Sequence, residues 1–222
     1  MTPKNNIRLR PLWKEATQKL ISKLEKNGVD FDKLDSLDMF GRDGKWQTSM
    51  FANKIKSLEV WEIDRQWEKE LKNTLQNAKI RILDSIENLE QLDKSLKFDL
   101  ILIDNPMNLF GPINSETKLP KYCEHFEVLK NIEKIMNNET IVIFNVNRKP
   151  FDYEKFPLWK KRRELFYQVN STDKMTIEFL SEFYKEYFKK IGFKTKFLET
   201  EVRVFYDDID MTYYFAMYLV KI

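Results

Sequence analysis

The chain alternates between short runs that are apolar at nearly every position and longer stretches in which apolar residues recur every three or four places. Phe98-Asp99-Leu100-Ile101-Leu102-Ile103 is the plainest of the runs, and it ends in Asp104-Asn105-Pro106-Met107. A run with almost no polar position suits a strand buried on both faces, as in a parallel sheet covered by helices. Leu34 to Met39, Leu58 to Ile63, Ile80 to Leu83 and Thr140 to Phe144 read as strands too. Helical spacing lies between and before them: Leu12, Trp13, Ala16, Leu20 and Leu24; Trp46, Met50 and Ile55; Trp67, Leu71 and Leu75; Phe126, Leu129, Ile132 and Ile135. Gly28 follows the first of these where a helix C-cap belongs. After a polar, aromatic stretch over 145–172, a long helix is marked by Ile177, Leu180, Phe183 or Tyr184, and Phe188, and Gly192 closes it. Phe193 to Tyr206 and Met211 to Ile222 are two long strands joined by Asp207-Asp208-Ile209-Asp210.

This order predicts an α/β fold: a doubly wound, seven-stranded, mostly parallel sheet with a C-terminal antiparallel hairpin. No repeat or low-complexity linker interrupts it, so residues 1–222 are expected to form one domain, with 1–30 as an N-terminal helical extension. In open sheets of this kind, ligands bind beyond the carboxyl ends of the strands. Those ends carry acids here: Asp38, Glu62, Asp84 and Asp104.

Composition narrows the chemistry. A chain of 222 residues, 42% of them hydrophobic, can bury one sizeable core. The net charge of +3 is a near cancellation of 38 basic and 35 acidic side chains, which permits an anionic partner without requiring one. Cys123, the lone cysteine, excludes an internal disulfide and a multi-cysteine zinc site. His125, the only histidine, falls within a helical pattern and reads as a packed or surface residue rather than a catalytic base. No apolar segment approaches the length of a membrane span, and Met1 to Asn6 has no signal-peptide core. The expectation is a soluble cytoplasmic protein without membrane contact.

Two segments carry more specific chemistry. Asp38-Met39-Phe40-Gly41-Arg42-Asp43-Gly44 is a strand end running into a glycine turn, where missing Cβ atoms let backbone approach a ligand closely. Glu62, in Val60-Trp61-Glu62-Ile63-Asp64, lies 24 residues on from Asp38, a distance that suits one strand–loop–helix–strand unit. A carboxylate at that strand end can accept both hydroxyls of a ribose, with Asp64 a near alternative. Asp84, before Ser85, suits either a ligand contact or the N-cap of the next helix.

The element order and these acids resemble the class I S-adenosylmethionine-dependent methyltransferases, with a Rossmann-like sheet, over roughly residues 30–222. The glycine loop is similar to the Asp-Leu-Phe-x-Gly-x-Gly loop of the amino-methyltransferases of ribosomal RNA and DNA, except that Arg42 stands at the central glycine. Asp104-Asn105-Pro106-Met107 is similar to their Asp-Pro-Pro-Phe/Tyr motif, with Asn105 in place of a proline and Met107 in place of the aromatic ring. The resemblance implies S-adenosylmethionine as cofactor, held by Asp38, Gly41 and Gly44 at the methionine end, Glu62 at the ribose and Asp84 at the adenine. It implies that Asp104, with Asn105 and Pro106, orients an amine acceptor on a nucleic-acid base, RNA or DNA; Phe110, three residues past Met107, either supplies the stacking ring or packs the loop. The fifth strand ends in Asn145 and Asn147 without an aspartate, so no metal is expected.

Substrate contacts are sought in Arg148-Lys149-Pro150-Phe151 and in Trp159-Lys160-Lys161-Arg162-Arg163-Glu164-Leu165-Phe166-Tyr167, where bases could stack and Lys160 and Lys161 could meet phosphates. The same run also fits an amphipathic helix with Trp159, Arg163 and Phe166 inward and lysines in water. Two other functions stay open on the sequence. One is a small-molecule O- or N-methyltransferase acting on a sugar or metabolite. The other is a degenerate Rossmann-like binding subunit, of which Arg42 would be the sign.

Overall fold

A computed structural model describes residues 6–92, 96–104, 110–147, 156–170, 174–205 and 209–222, with side chains except at 6–13, 110, 204–205 and 209–211. Its elements are α1 (Asn6–Lys26), β1 (Asp35–Asp38), β2 (Ser57–Glu62), α2 (Glu68–Thr74), β3 (Lys79–Ile82), α3 (Ser85–Gln91), β4 (Phe98–Ile103), β5 (Phe110–Ile113), β6 (Pro120–Tyr122), α4 (Phe126–Leu129), β7 (Met136–Asn147), α5 (Pro157–Tyr167), α6 (Ile177–Lys190), β8 (Phe193–Phe205) and β9 (Ile209–Lys221). Seven strands form one sheet in the order β3-β2-β1-β4-β7-β9-β8. The first five are parallel, and β9 runs antiparallel to both β7 and β8. This is the doubly wound sheet with a terminal hairpin that the pattern predicts.

The apolar runs split their residues between two layers. From β4, Leu100 and Leu102 pack with Ala16, Leu20 and Leu24 of α1, together with Ile141, Ile143, Tyr214 and Ala216. Ile101 and Ile103 face the opposite layer, where α3, α4, α5 and α6 supply Leu89, Phe126, Trp159 and Tyr184. Successive strand residues point to opposite faces, so a strand covered on both sides must be apolar at every position. Leu71 and Leu75 cover Leu58 and Val60 at the β2 end.

Three expectations fail locally. The helix read over Trp46, Met50 and Ile55 is absent: a single 3-10 turn, Gln47–Met50, stands there, followed by turns into β2. The Thr48 hydroxyl, tied to Asp38, draws the segment onto β1. The Ser49 hydroxyl donates to the carbonyls of Lys45 (3.1 Å) and Trp46 (2.7 Å). Phe51, from the turn, shares its apolar cluster with α1. The helix read from Phe126 to Ile135 shrinks to the single turn of α4 and a 3-10 turn at Ile132–Lys134. A separate two-stranded hairpin, β5–β6, which the pattern did not indicate, lies between β4 and α4. Elsewhere Gly28 and Gly192, both at positive φ, follow α1 and α6 as the sequence suggests.

Candidate functional site

Register decides which side chains meet. Asp38 pairs with Val60 on one side and Leu102 on the other, Leu102 with Ile143, and Asn145 with Tyr214. Paired residues share a face, and so do residues two apart along a strand. Glu62, Asp104 and Asn145 stand two places beyond Val60, Leu102 and Ile143. They therefore lie with Asp38 and Tyr214 on the face that α1 and the Gln47–Met50 turn cover, at the carboxyl ends of the parallel strands.

The glycine loop crosses these ends. Gly41 donates to the carbonyl of Trp61 (3.0 Å), and Gly44 closes the turn onto Gly41 (2.8 Å) at φ +70°. A Cβ on Gly41 would meet Val60 Cγ1 at 2.2 Å, so only glycine lets the loop lie this close to β2. Arg42, at the position where the resemblance expects glycine, adopts φ +46°, a left-handed backbone with a side chain present. Its guanidinium lies 5.4 Å from the Trp46 ring and 5.7 Å from the Trp67 ring, within cation–π range.

Asp38 is buried, and each of its oxygens takes an internal bond: Oδ1 from the Phe40 amide (3.0 Å) and Oδ2 from the Thr48 hydroxyl (2.5 Å). Burial, with Asp104 and Glu62 adding negative charge, pushes its carboxyl up to about 7. Glu62 accepts from the Arg42 amide (2.6 Å) and the Asp64 amide (2.8 Å), one bond on each oxygen. A carboxylate has about four lone-pair directions, so Glu62 retains acceptor capacity at both oxygens. Asp84 caps α3, accepting from Ile86 (2.8 Å) and Glu87 (3.2 Å) through Oδ1, and the neighbouring Ser85 hydroxyl donates to the Met39 carbonyl (2.5 Å). The cap reading of Asp84 is thus realised at one oxygen. Beside Glu62, Ile63 is 62% exposed, an apolar surface at a strand end that the hydrophobic pattern does not single out.

Asp104 is half-buried and accepts through Oδ1 from Gln47 Nε2 (2.8 Å) and Asn145 Nδ2 (2.7 Å). Desolvation pushes it up to about 6, against these two donors and the positive charges of Arg203 and Arg42. Arg203 of β8 also hydrogen-bonds the hydroxyl of Tyr214, whose pKa burial raises to about 12. Asn105 and Pro106 lie outside the described residues, as does the side chain of Phe110.

The basic stretch on α5 divides. Arg163 is fully buried, with Nε 3.0 Å from Glu124 and Nη2 on the Asn147 carbonyl; Glu124 also accepts from Trp159 Nε1 (2.8 Å). Arg162 pairs with Glu127 and donates to the Lys121 carbonyl (3.1 Å). Lys160 and Lys161 face outward, Lys160 with Glu164 at 3.8 Å. His125 is fully buried, its Nε2 2.6 Å from the Tyr184 hydroxyl, and desolvation holds it neutral with a pKa near 3. It is the packed histidine of the two readings.

The sequence brought Asp38, Gly41, Gly44, Glu62 and Asp104 to one place, with Asp84 at the adjoining helix start, and Lys160 and Lys161 to a different element. It did not mark Gln47, Thr48, Arg203 or Tyr214. Nothing in their local pattern carries a signal, because each is recruited by strand order.

No family model matches the chain, and no curated protein matches it. Solved structures do match. The magnesium protoporphyrin IX methyltransferase ChlM of Synechocystis PCC 6803, with bound SAH, aligns over 100% of this chain and 90% of its own at 14% identity and TM-score 0.58. The N-methyltransferase NodS of Bradyrhizobium japonicum WM9 aligns over 95% and 98% at 12% identity and TM-score 0.56. TYW2 of M. jannaschii, in complex with AdoMet, aligns over 92% and 77% at 14% identity and TM-score 0.52. The fold is that of the class I S-adenosylmethionine-dependent methyltransferases.

Proposed function

We propose that this chain binds S-adenosylmethionine beyond the carboxyl ends of β1, β2 and β4 and transfers its methyl group to an amine. The observation that carries this reading is the convergence of Asp38, Glu62 and Asp104 on one face around the glycine loop. When bound, the cofactor supplies a methyl group on a sulfonium, which is a good leaving group. The donor and acceptor set suits it. Glu62 has capacity for two ribose hydroxyls beyond the Arg42 and Asp64 amides, the second oxygen of Asp84 can receive an adenine amino group, and exposed Ile63 offers a flat ring an apolar support. Asp38 works indirectly, fixing the loop through Phe40 and tying the Gln47–Met50 turn to β1 through Thr48.

Asp104 accepts a hydrogen bond from the attacking nitrogen and so aims its lone pair at the methyl group. The gain is positional. Its pKa near 6 leaves it ionised at neutral pH, which suits an oxygen that must accept rather than donate.

A base amine of RNA or DNA is the first acceptor, from the Asp104-x-Pro106 match and from Lys160 and Lys161 facing outward on α5. One observation favours a small-molecule amine instead: Arg162 and Arg163 are spent on Glu127 and Glu124, which leaves the phosphate-binding surface of that run two lysines. Among the solved structures of this fold, NodS is named as an N-methyltransferase and ChlM as acting on magnesium protoporphyrin IX, so nitrogen transfer and a small-molecule acceptor both occur on it. Incubation with methyl-labelled S-adenosylmethionine and, separately, RNA, DNA and pooled metabolite amines tests the reading. Label on nucleic acid that is lost in Asp104→Ala supports the first acceptor. Label only in the metabolite pool moves the assignment to a small molecule, and label in no pool contradicts methyl transfer.

A further inference from the structure

Two side-chain amides converge on one oxygen of Asp104. Gln47 reaches it from the 3-10 turn at 2.8 Å and Asn145 from β7 at 2.7 Å, both at Oδ1. Gln47 is buried, and turning its amide over would set Oε1 against the carboxylate, acceptor to acceptor. Asn145 is buried as well, in β7, the strand next to β4. These donors lie beyond the reach of any local motif: 57 and 41 residues of sequence separate them from Asp104.

Two N–H donors on one oxygen leave no room there for a proton. An acid protonated at Oδ1 would meet two donors, and hydrogen bonds of this kind stabilise the charged form selectively. Both amides extend from buried backbone, Gln47 from its turn and Asn145 from β7, so Oδ1 of the carboxylate is held by two donors at once.

We propose that Gln47 and Asn145 are positioning residues whose amides, sharing one oxygen of Asp104, keep the carboxylate ionised and reserve its second oxygen for an N–H of the acceptor. The inference rests on the assignment of Asp104 to the acceptor site. It adds that the acceptor must be a hydrogen-bond donor at its reacting atom, since an acceptor without a proton has nothing to offer an ionised oxygen. The departure from the glycine-loop helix gains a purpose on this account. A short turn at 47–50 puts the Gln47 amide over the end of β4, while Thr48, next to it, anchors the turn to Asp38.

Among the described residues, the charged groups facing Asp104 are Asp38 on β1, Arg42 in the glycine loop, Arg203 on β8 and, adjoining them, Glu62 on β2 and the Tyr214 hydroxyl on β9. None of these changes when an amide is removed, so a shift in the variants reports the amides. Carbon-13 NMR of aspartate-labelled protein, with the Asp104 signal identified by its loss in Asp104→Asn, reads the titration directly and without substrate. Gln47→Leu and Asn145→Ala should each raise the Asp104 midpoint by about one pH unit. Gln47→Met keeps the chain length without the donor and serves if Gln47→Leu folds poorly. Unmoved midpoints in both single variants overturn the proposal. The acidic limb of kcat/KM, measured beside it on whichever acceptor is labelled, should move to higher pH with the midpoint. A moved midpoint with an unmoved limb would leave the two amides in their role and remove Asp104 from the acceptor site.

Discussion

At the scale of single residues, the site depends on how closely backbone and carboxylate approach each other. Gly41 shows this most sharply, since its missing Cβ is what lets the loop lie against Val60. Gly41→Ala would force Val60 and Leu71 aside in a packed cluster. The expected cost is about 1–3 kcal/mol of stability, measured by urea unfolding, because overpacking a filled site displaces neighbours. An alanine variant as stable as the wild type would show that β2 gives way easily. Glycine at 41 and acids at 38, 62 and 104 were legible because strand ends in a doubly wound sheet have a known destination. Gln47 was not. A glutamine in a polar turn has no periodicity, and its partner lies 57 residues away.

At the scale of elements, α5 is pinned by a buried ion pair. Arg163 and Glu124 are both fully buried, Glu124 takes the Trp159 indole as well, and Arg163 reaches back to the Asn147 carbonyl at the end of β7. The sequence supports an amphipathic α5 with Trp159 and Arg163 inward. It could not supply the partner, because Glu124 precedes a helix that the pattern drew too long. Removing one member of such a pair strands the other in low dielectric. Arg163→Met should therefore cost about 3–5 kcal/mol. The double change to Arg163→Met with Glu124→Gln should recover part of that loss. Equal stability of single variant and wild type would mean the pair is dispensable. The missed helix between β1 and β2 has a related cause: apolar spacing at Trp46, Met50 and Ile55 fits a helix, but the Thr48 hydroxyl is drawn to Asp38 at the end of β1, a tertiary bond that the spacing does not encode.

At the scale of the whole molecule, the same burial that builds the site sets the response to pH. Asp38 titrates near 7 in the fold and near 3.8 as a free side chain, so folding takes up a proton between those values. Its contribution is fully present below about 4 and is lost as pH rises through 7, with Asp104, raised to about 6, adding in the same direction. His125, lowered to about 3, acts oppositely: its contribution is present above 6.5 and is lost as pH falls toward 3. Asp38→Asn keeps an acceptor for the Phe40 amide, and its N–H can donate to the Thr48 oxygen in reverse of the wild-type bond, while the buried charge is removed. The variant should gain stability over the wild type between pH 5 and pH 8, by as much as about 4 kcal/mol if the whole shift is realised. A stability difference flat across that range would mean that Asp38 is not desolvated as its burial implies.

The central claim is that the strand-end acids hold S-adenosylmethionine, and calorimetric titration of the cofactor tests it most directly. Glu62 is the residue to change, because a charge-assisted bond of the kind proposed at the ribose contributes roughly 1.5–3 kcal/mol. The wild type should show one saturable site, Glu62→Ala a loss of roughly tenfold to a hundredfold in affinity, and Asp64→Ala little change. No saturable binding to the wild type, or equal affinity in Glu62→Ala, would contradict the account.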